Sequence, residues 1–217
     1  MDFTAFLFDL NGTIIDDMPY HAKAWLSILN SHGADLSYEQ VKKEMYGKNE
    51  ELLIRIFGEG LFTPQQCKEM AIKKEEKYRE EFRPHLKLID GLDEFLMKIH
   101  QHKIKMAIGT AANTPNVDFV LDGLDIRHYF EAIISADEVK TSKPDPETFL
   151  QCAAGLGVQP EDCLVFEDSP KGVEAAQNGG MQAVVVLTMH QKEEFQHLPN
   201  VKYFIQDYND KQLHRLF

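Results

Sequence analysis

Six short apolar runs recur along the chain, and they restrict the folds that it can form. Most of them are apolar at nearly every position, which is typical of strands buried on both faces of a parallel sheet. Helical patterns separate most of the runs, and this alternation predicts an α/β fold with a Rossmann-like, doubly wound, mostly parallel sheet. The predicted strands are Ala5–Phe8, Ile104–Ile108, Ala132–Ile134, Cys163–Phe166, Ala183–Leu187 and Val201–Ile205. The predicted helices are Gly91–His100, Pro115–Leu121 (capped by Thr114), Pro146–Leu156 and Pro170–Gln177.

One stretch, from about Asp16 to Pro84, interrupts this alternation because it contains helical patterns and no credible strand. Two capping boxes, in which a hydroxyl residue is followed three positions later by glutamine, predict helix starts within it. They are Ser37 with Gln40 and Thr63 with Gln66. We therefore predict an α/β core domain formed by residues 1–15 and 85–217, and an all-helical cap domain formed by residues 16–84.

The composition restricts the partners that the chain can bind. Its formal net charge of −12 argues against a nucleic-acid-binding face and against binding to anionic membranes. The three cysteines have neither disulfide-framework nor zinc-site spacing, so we expect them to be reduced. No apolar run reaches the length of a membrane span, and the N-terminus has no basic leader. We expect a soluble, cytoplasmic protein that is a monomer.

Residues able to bind a metal ion or an anion follow four of the predicted strands. Because the carboxyl ends of parallel strands meet at one edge of the sheet, where α/β proteins bind ligands, we expect these residues to form one site. They are Asp9 and Asn11 after the first strand, Thr110, Ala111 and Asn113 after the second, Lys143 after the third, and Glu167 and Asp168 after the fourth.

This set of residues is chemically suited to phosphoryl transfer. The carboxylates of Asp9, Glu167 and Asp168 would repel one another unless a divalent cation shared them, and such oxygen ligands favour Mg²⁺. With the charge of a phosphate screened by the cation, Asp9 could attack phosphorus and become an aspartyl-phosphate. Lys143, the Thr110 hydroxyl and nearby backbone amides would hold the phosphate oxygens. Each residue alone also fits a helix cap or a surface position, but their order after successive strands favours the phosphate site.

Four stretches carry a family resemblance: "FDLNGT", "GTAAN", "SKPDPETF" and "VFEDSPKGVEAAQNGG". They resemble, in the same order, the four motifs of the haloacid dehalogenase superfamily of phosphotransferases. The helical insertion after the first motif is similar to the helical cap of that superfamily. Within it, "DMPYHAKAW" resembles the β-phosphoglucomutase-like branch. The resemblance implies a Rossmann-like core and Mg²⁺-dependent phosphoryl transfer through an aspartyl-phosphate.

The resemblance also implies roles for individual residues. It implies a nucleophile, Asp9, and a metal site formed by Asp9, the backbone carbonyl of Asn11, Asp168 and, directly or through water, Glu167. It implies a phosphate site formed by Thr110 and Lys143, next to the loop residues Ala111 and Asn113. In the cap, His21 could steady or gate residue 11, and Lys48 could contact the substrate. A packed histidine and a solvated lysine are about equally good interpretations of these two residues.

Asn11 departs from the family pattern, in which this position is normally aspartate. There the carboxyl group protonates the leaving oxygen and then activates water or a substrate hydroxyl, which is worth roughly 10²–10⁴-fold in rate. An amide exchanges no proton near neutral pH, so we expect slow hydrolysis of alkyl phosphates such as sugar phosphates. Leaving groups that need no proton, as in acyl phosphates, should be affected less in the first step.

The dehalogenase branch of the superfamily also lacks this aspartate. Its chemistry does not need a lysine such as Lys143 together with the acidic pair Glu167 and Asp168, so the presence of these residues argues against halide displacement.

The most consistent function is therefore Mg²⁺-dependent hydrolysis of a small phosphomonoester such as a sugar phosphate. A phosphomutase is the alternative, because Lys48 could anchor a second phosphate although the predicted cap loop has no convincing arginine. A phosphate-binding protein without turnover is an alternative of another class.

The amide at residue 11 leaves four interpretations open. The protein could be a slow or specialised phosphatase that takes its protons from His21, Asp16 or Asp17. It could bind phosphate ligands without turnover. The amide could be an engineered substitution that traps a complex. The Asn11-Gly12 pair could also deamidate, because glycine leaves the backbone free to cyclise, and this would restore some aspartate.

Overall fold

The computed structural model describes residues 3–217, and the chain divides into two compact units. One unit, Asp17–Leu86, is all-helical. The other contains the residues up to Asp16 together with Lys87–Phe217, and it holds the sheet. The predicted α/β fold is confirmed, whereas the role of the helical unit as a cap stays a prediction. Within residues 3–217, no helix is long and apolar enough to cross a membrane.

The helical unit consists of four α-helices around an apolar core of its own. The helices are α1 (Met18–Ser31), α2 (Tyr38–Glu44), α3 (Asn49–Phe57) and α4 (Pro64–Phe82). The core residues are Trp25, Leu29, Val41, Leu52, Leu53 and Met70. Both predicted capping boxes are confirmed: the hydroxyl of Ser37 accepts from the amide of Gln40 at 3.3 Å, and that of Thr63 from Gln66 at 3.2 Å.

The other unit is built on a six-stranded sheet in which every neighbouring pair of described strands is parallel. The strands are β1 (Ala5–Phe8), β2 (Lys105–Gly109), β3 (Ala132–Ile134), β4 (Cys163–Glu167), β5 (Gln182–Val186) and β6 (Val201–Ile205). Their order across the sheet is β3-β2-β1-β4-β5-β6. All six predicted strands are confirmed, each to within one residue at either end.

The central strands are level at their carboxyl ends, and this positions the candidate site. Phe8 of β1 lies opposite Ile108 of β2 on one side and Phe166 of β4 on the other. The backbone amide of Asp9 then donates to the carbonyl of Phe166 at 2.9 Å. Asp9 and the residues that follow β2 and β4 therefore emerge at the same edge of the sheet.

Four α-helices accompany the strands of this unit. They are α5 (Leu92–Gln101), α6 (Thr114–Gly123), α7 (Glu147–Leu156) and α8 (Pro170–Asn178). The predicted cap of α6 at Thr114 is wrong, because Asn113 is the cap and its side-chain oxygen accepts from the amide of Asn116 at 3.1 Å. Thr114 is instead the first helical residue, and its amide and hydroxyl both donate to Asp137, at 2.9 and 2.8 Å.

Candidate active site

Lys143 joins two of the predicted carboxylates at the edge of the sheet. Its Nζ atom lies 2.7 Å from Asp9 Oδ1 and 2.8 Å from Glu167 Oε1, and it also donates to the carbonyl of Gly109 at 3.1 Å. The ring centroid of Phe149 lies 4.5 Å from the same atom. Burial lowers the pKa of Lys143, but the charges of Asp9 and Glu167 outweigh it and place the pKa above its usual range. The lysine is therefore a cation held between two acids.

Three carboxylates, those of Asp9, Glu167 and Asp168, form an acidic cluster with one lysine beside it. One carboxylate oxygen from each residue lies within 4.8 Å of one oxygen from each of the other two. All three side chains are buried. Asp168 Oδ2 has no hydrogen-bond partner among the residues that the structure describes. The pKa of Asp168 is raised well above its usual range, mainly by burial of the carboxyl group and then by the negative charges of Glu167 and Asp9. This orphaned oxygen among clustered hard donors fits a divalent cation such as Mg²⁺.

Two glycines leave room for these carboxylates. Gly12 has φ +77°, and a Cβ atom there would lie 2.2 Å from Asp168 Oδ2. Gly172, in the first turn of α8, has the same role for Glu167, since a Cβ atom would lie 1.6 Å from Oε1. Ser169 then holds the other oxygen of Glu167, to which its amide donates at 2.7 Å and its hydroxyl at 3.0 Å. Both oxygens of Glu167 thus have donors from the protein.

The loop after β2 contains the predicted phosphate-binding residues Thr110, Ala111 and Asn113, which differ in burial and in hydrogen bonding. Thr110 is buried, and its hydroxyl accepts from the amide of Ala112 at 3.0 Å. Ala111 is exposed. The side chain of Asn113 is engaged as the cap of α6. Thr110 directly follows Gly109, whose carbonyl accepts from Lys143, so the loop begins at the acidic cluster.

Asn11 is half-buried in a tight turn that follows Asp9. Residue 11 bridges to Ile15, and the amide of Gly12 donates to the carbonyl of Ile15 at 2.8 Å. The hydroxyl of Thr188 donates to the carbonyl of Gly12 at 2.7 Å. Deamidation requires the Gly12 nitrogen to attack the side chain of Asn11. That nitrogen is tied to Ile15, so the structure disfavours this interpretation of the amide.

His21 belongs to the helical unit, in a group that we call the α1–α4 polar cluster: Asp17, His21, Lys74, Glu75 and Tyr78. All five side chains are buried. The His21 ring stacks on Tyr78 with centroids 3.7 Å apart, while its Nε2 lies 3.3 Å from Asp17 Oδ2 and its Nδ1 lies 2.6 Å from Lys74 Nζ. Both ring nitrogens therefore have partners inside the helical unit. This favours the packed histidine, and the gating role stays a prediction.

Tyr78 and Asp17 allow a test of the α1–α4 polar cluster, because the Tyr78 hydroxyl donates to Asp17 Oδ2. Asp17 is fully buried, so Tyr78→Phe removes a donor from a carboxylate that water does not reach. We expect the variant to lose about 1–3 kcal/mol of unfolding free energy, measured by urea denaturation with helical circular dichroism. Tyr46→Phe, at an exposed tyrosine, is the control. Equal stability of the two variants would contradict a structural role for the cluster.

Lys48 is half-buried and directly precedes α3 in the helical unit. Its backbone amide donates to Glu51 Oε2 at 2.9 Å, so the residue serves as a helix start. A substrate contact by its side chain stays a prediction.

Two residues outside the predicted site support the turn after β1. Tyr208 is buried, and its hydroxyl donates to the carbonyl of Thr13 at 3.0 Å. Burial, together with the charges of Asp9 and Asp168, raises the pKa of Tyr208 well above its usual range. Thr188 follows β5 and holds Gly12. Neither residue has a sequence signal of its own, because an isolated tyrosine or threonine after a strand is common.

The acidic cluster predicts an unusual response to charge removal. Asp168→Asn removes one of three mutually repelling buried charges, so in EDTA we expect a higher melting temperature, by about 2–4 °C for each kcal/mol of repulsion relieved. Added MgCl₂ should raise the melting temperature of the unmodified protein and leave that of the variant nearly unchanged. Glu161→Gln, at an exposed acid, is the control and should respond to Mg²⁺ like the unmodified protein. An equal Mg²⁺ response in Asp168→Asn would contradict a metal site here.

A parallel sheet with an aspartate, a lysine and an acidic pair at its carboxyl edge defines a class of protein. The sequence matches the model of the haloacid dehalogenase-like hydrolase family over residues 6–186, and the chain belongs to this family. The predicted membership is confirmed, and all four motifs lie within the matched residues.

Several relatives are named for enzymes of phosphorylated sugars. Fructose-1-phosphate phosphatase YqaB of Escherichia coli is 35% identical over 185 residues, which is 85% of this chain and 96% of the relative. β-Phosphoglucomutase of Bacillus subtilis is 34% identical over 191 residues, 84% of this chain and 82% of the relative. The crystal structure of β-phosphoglucomutase from Clostridium difficile is similar with a TM-score of 0.86 at 27% identity, covering 98% of this chain and 96% of that one.

Proposed function

We propose that this protein is a Mg²⁺-dependent phosphotransferase that uses Asp9 as its nucleophile, and that it hydrolyses small phosphomonoesters, most simply sugar phosphates. The observation that carries this proposal is the convergence of Asp9, Lys143 and the acidic cluster at one edge of the sheet. The names of the relatives support the substrate class.

The metal would be held by Asp9, by Asp168 and by the backbone carbonyl of Asn11. The orphaned Oδ2 atom of Asp168 supports its assignment as a direct ligand. Glu167 has donors on both oxygens, so we assign it to a water-held position. When bound, the cation screens negative charge so that a carboxylate and a phosphate can approach each other.

The chain's own groups would then perform the transfer. An oxygen of Asp9 attacks phosphorus, the bond to the leaving oxygen breaks, and the leaving oxygen takes the electron pair. Lys143 lies beside Asp9, where its ammonium group can bind a phosphate oxygen, together with the Thr110 hydroxyl and the amide of Ala111. Water then attacks the aspartyl-phosphate and releases phosphate. The amide of Asn11 can neither give a proton to the leaving oxygen nor take one from the attacking water, so both steps on a sugar phosphate are slow.

A phosphomutase is the second candidate, because one β-phosphoglucomutase is among the relatives and the crystal structure of another is similar to this chain. A mutase must hold a second phosphate, and Lys48 is the residue that we assign to that contact. A mutase would convert a sugar 1-phosphate to its 6-phosphate isomer in the presence of a bisphosphate, whereas a phosphatase would release phosphate.

The test is a screen of phosphorylated metabolites with MgCl₂, run on the unmodified protein, Asn11→Asp and Asp9→Asn. We expect phosphate release from sugar phosphates that is slow in the unmodified protein, faster in Asn11→Asp and abolished in Asp9→Asn. Isomer analysis of the sugar products separates a mutase from a phosphatase. Binding of phosphomonoesters without turnover in both the unmodified protein and Asn11→Asp would instead indicate a phosphate-binding protein. Activity that survives in a folded Asp9→Asn variant would contradict the proposal.

A further inference from the structure

The proposed reaction has two halves, phosphoryl transfer to Asp9 and hydrolysis of the resulting aspartyl-phosphate, and the amide of Asn11 affects them unequally. We propose, on the basis of the proposed function, that Asp9 accepts a phosphoryl group from acyl phosphates and retains it as a long-lived aspartyl-phosphate. The protein then exists in phosphorylated and unphosphorylated forms, and a donor of this class converts one into the other.

The first half needs no proton when the donor is an acyl phosphate. An oxygen lone pair of Asp9 forms the new bond to phosphorus, and the bond from phosphorus to the acyl oxygen breaks. The electron pair of that bond leaves on a carboxylate, which is a stable anion at neutral pH. Lys143, 2.7 Å from Asp9 Oδ1, offers a positive charge beside the reacting atoms. An alkyl phosphate would have to expel an alkoxide, which requires the acid that residue 11 does not provide.

The second half needs a base that removes a proton from the attacking water. The side chain of Asn11 is an amide, which cannot take this proton. Glu167 already accepts from Lys143 on one oxygen and from Ser169 on the other. His21 has partners on both ring nitrogens within the helical unit. Hydrolysis of the aspartyl-phosphate is therefore the step that we expect the amide to slow most, because Glu167 and His21 are already engaged with other partners.

The turn that contains Asn11 preserves this arrangement. The amide of Gly12 donates to Ile15, and the carbonyl of Gly12 accepts from Thr188, so the peptide units before and after the Gly12 Cα are both held. The Gly12 nitrogen is then poorly placed to cyclise onto the amide and convert it to aspartate. The amide thus persists, and the phosphorylated form is not lost by gradual restoration of the missing base.

The experiment follows phosphorylation by intact-protein mass spectrometry. The unmodified protein, Asn11→Asp and Asp9→Asn are incubated with acetyl phosphate and MgCl₂, the donor is removed, and the phosphorylated fraction is followed with time. We expect the unmodified protein to gain one phosphoryl group, labile to hydroxylamine, with a lifetime at least roughly tenfold longer than in Asn11→Asp. We expect Asp9→Asn to gain none, with its circular dichroism showing that it is folded.

The inference would be overturned by an unmodified protein that gains no phosphoryl group, or by one that loses it as fast as Asn11→Asp does. Phosphorylation of Asp9→Asn to the same extent would assign the modification to another residue and overturn it as well. These failures are distinguishable from failure of the proposed function. In that case Asn11→Asp would show no Asp9-dependent hydrolysis of fructose 1-phosphate, whatever the result with acetyl phosphate.

Discussion

Asn11→Asp is expected to raise Mg²⁺-dependent hydrolysis of sugar phosphates at least about tenfold, within the 10²–10⁴-fold range that general acid–base catalysis contributes. The new carboxyl group can protonate the leaving sugar oxygen and later remove a proton from water. The substitution is nearly isosteric, so the half-buried turn should accept it. The measurement is kcat/KM for fructose 1-phosphate with MgCl₂, together with its pH profile, which should gain an ionisation absent from the unmodified protein.

Two controls separate this gain from a general effect of charge. Gln101→Glu adds the same charge at the exposed end of α5 and should leave kcat/KM unchanged. Asp9→Asn combined with Asn11→Asp should abolish the gain, because the added carboxyl group acts on a transfer that requires the nucleophile. No gain in Asn11→Asp would mean that residue 11 is not the acid–base position of this site.

Lys143→Met should cause the largest loss of stability, about 3–5 kcal/mol of unfolding free energy in EDTA. The variant removes the cation that lies 2.7 Å from Asp9 and 2.8 Å from Glu167, and it leaves three buried carboxylates facing one another. MgCl₂ should restore part of this loss, because a bound cation replaces some of the missing positive charge. Urea denaturation with and without Mg²⁺ measures both effects.

The matched control is Lys140→Met, at an exposed lysine three residues earlier, which should change the unfolding free energy by less than about 0.5 kcal/mol. Adding Asp168→Asn to Lys143→Met should recover stability, because it removes one of the uncompensated charges. If Lys143→Met were as stable as Lys140→Met, the ion pairs at the edge of the sheet would contribute nothing to stability.

The sheet could be predicted from the sequence because its strands are short, continuously apolar runs between helical patterns. β1 is the clearest case, as all four of its residues are buried. Helix α3 was missed, because Gly47 and Lys48 are also typical of a loop and the helix is only nine residues long. Asn113 and Thr114 are adjacent, and both residue types are common at helix N-caps. The sequence cannot tell which of them caps α6, because this depends on the residue at which the backbone becomes helical.

The site could be predicted where topology alone brings residues together. Asp9 directly follows β1, and Glu167 and Asp168 are the last residue of the neighbouring parallel strand β4 and the residue after it, so their convergence follows from strand order. Packing across the chain could not be predicted in this way. The contact between His21 and Lys74 joins residues 53 positions apart, and it depends on how α1 lies against α4. Sequence patterns fix which face of each helix is apolar but leave the pairing of polar groups undetermined.

The glycine in the first turn of α8 limits how this protein can be engineered. Exchanging a helical glycine for alanine is a standard way to stabilise a protein, since it reduces the disorder of the unfolded chain. At Gly172 the added methyl group would meet Glu167, which Lys143 and Ser169 hold in place. A design guided by helix propensity alone would therefore choose alanine at this position and disrupt the acidic cluster. Thermostabilised versions of this protein should keep the glycine.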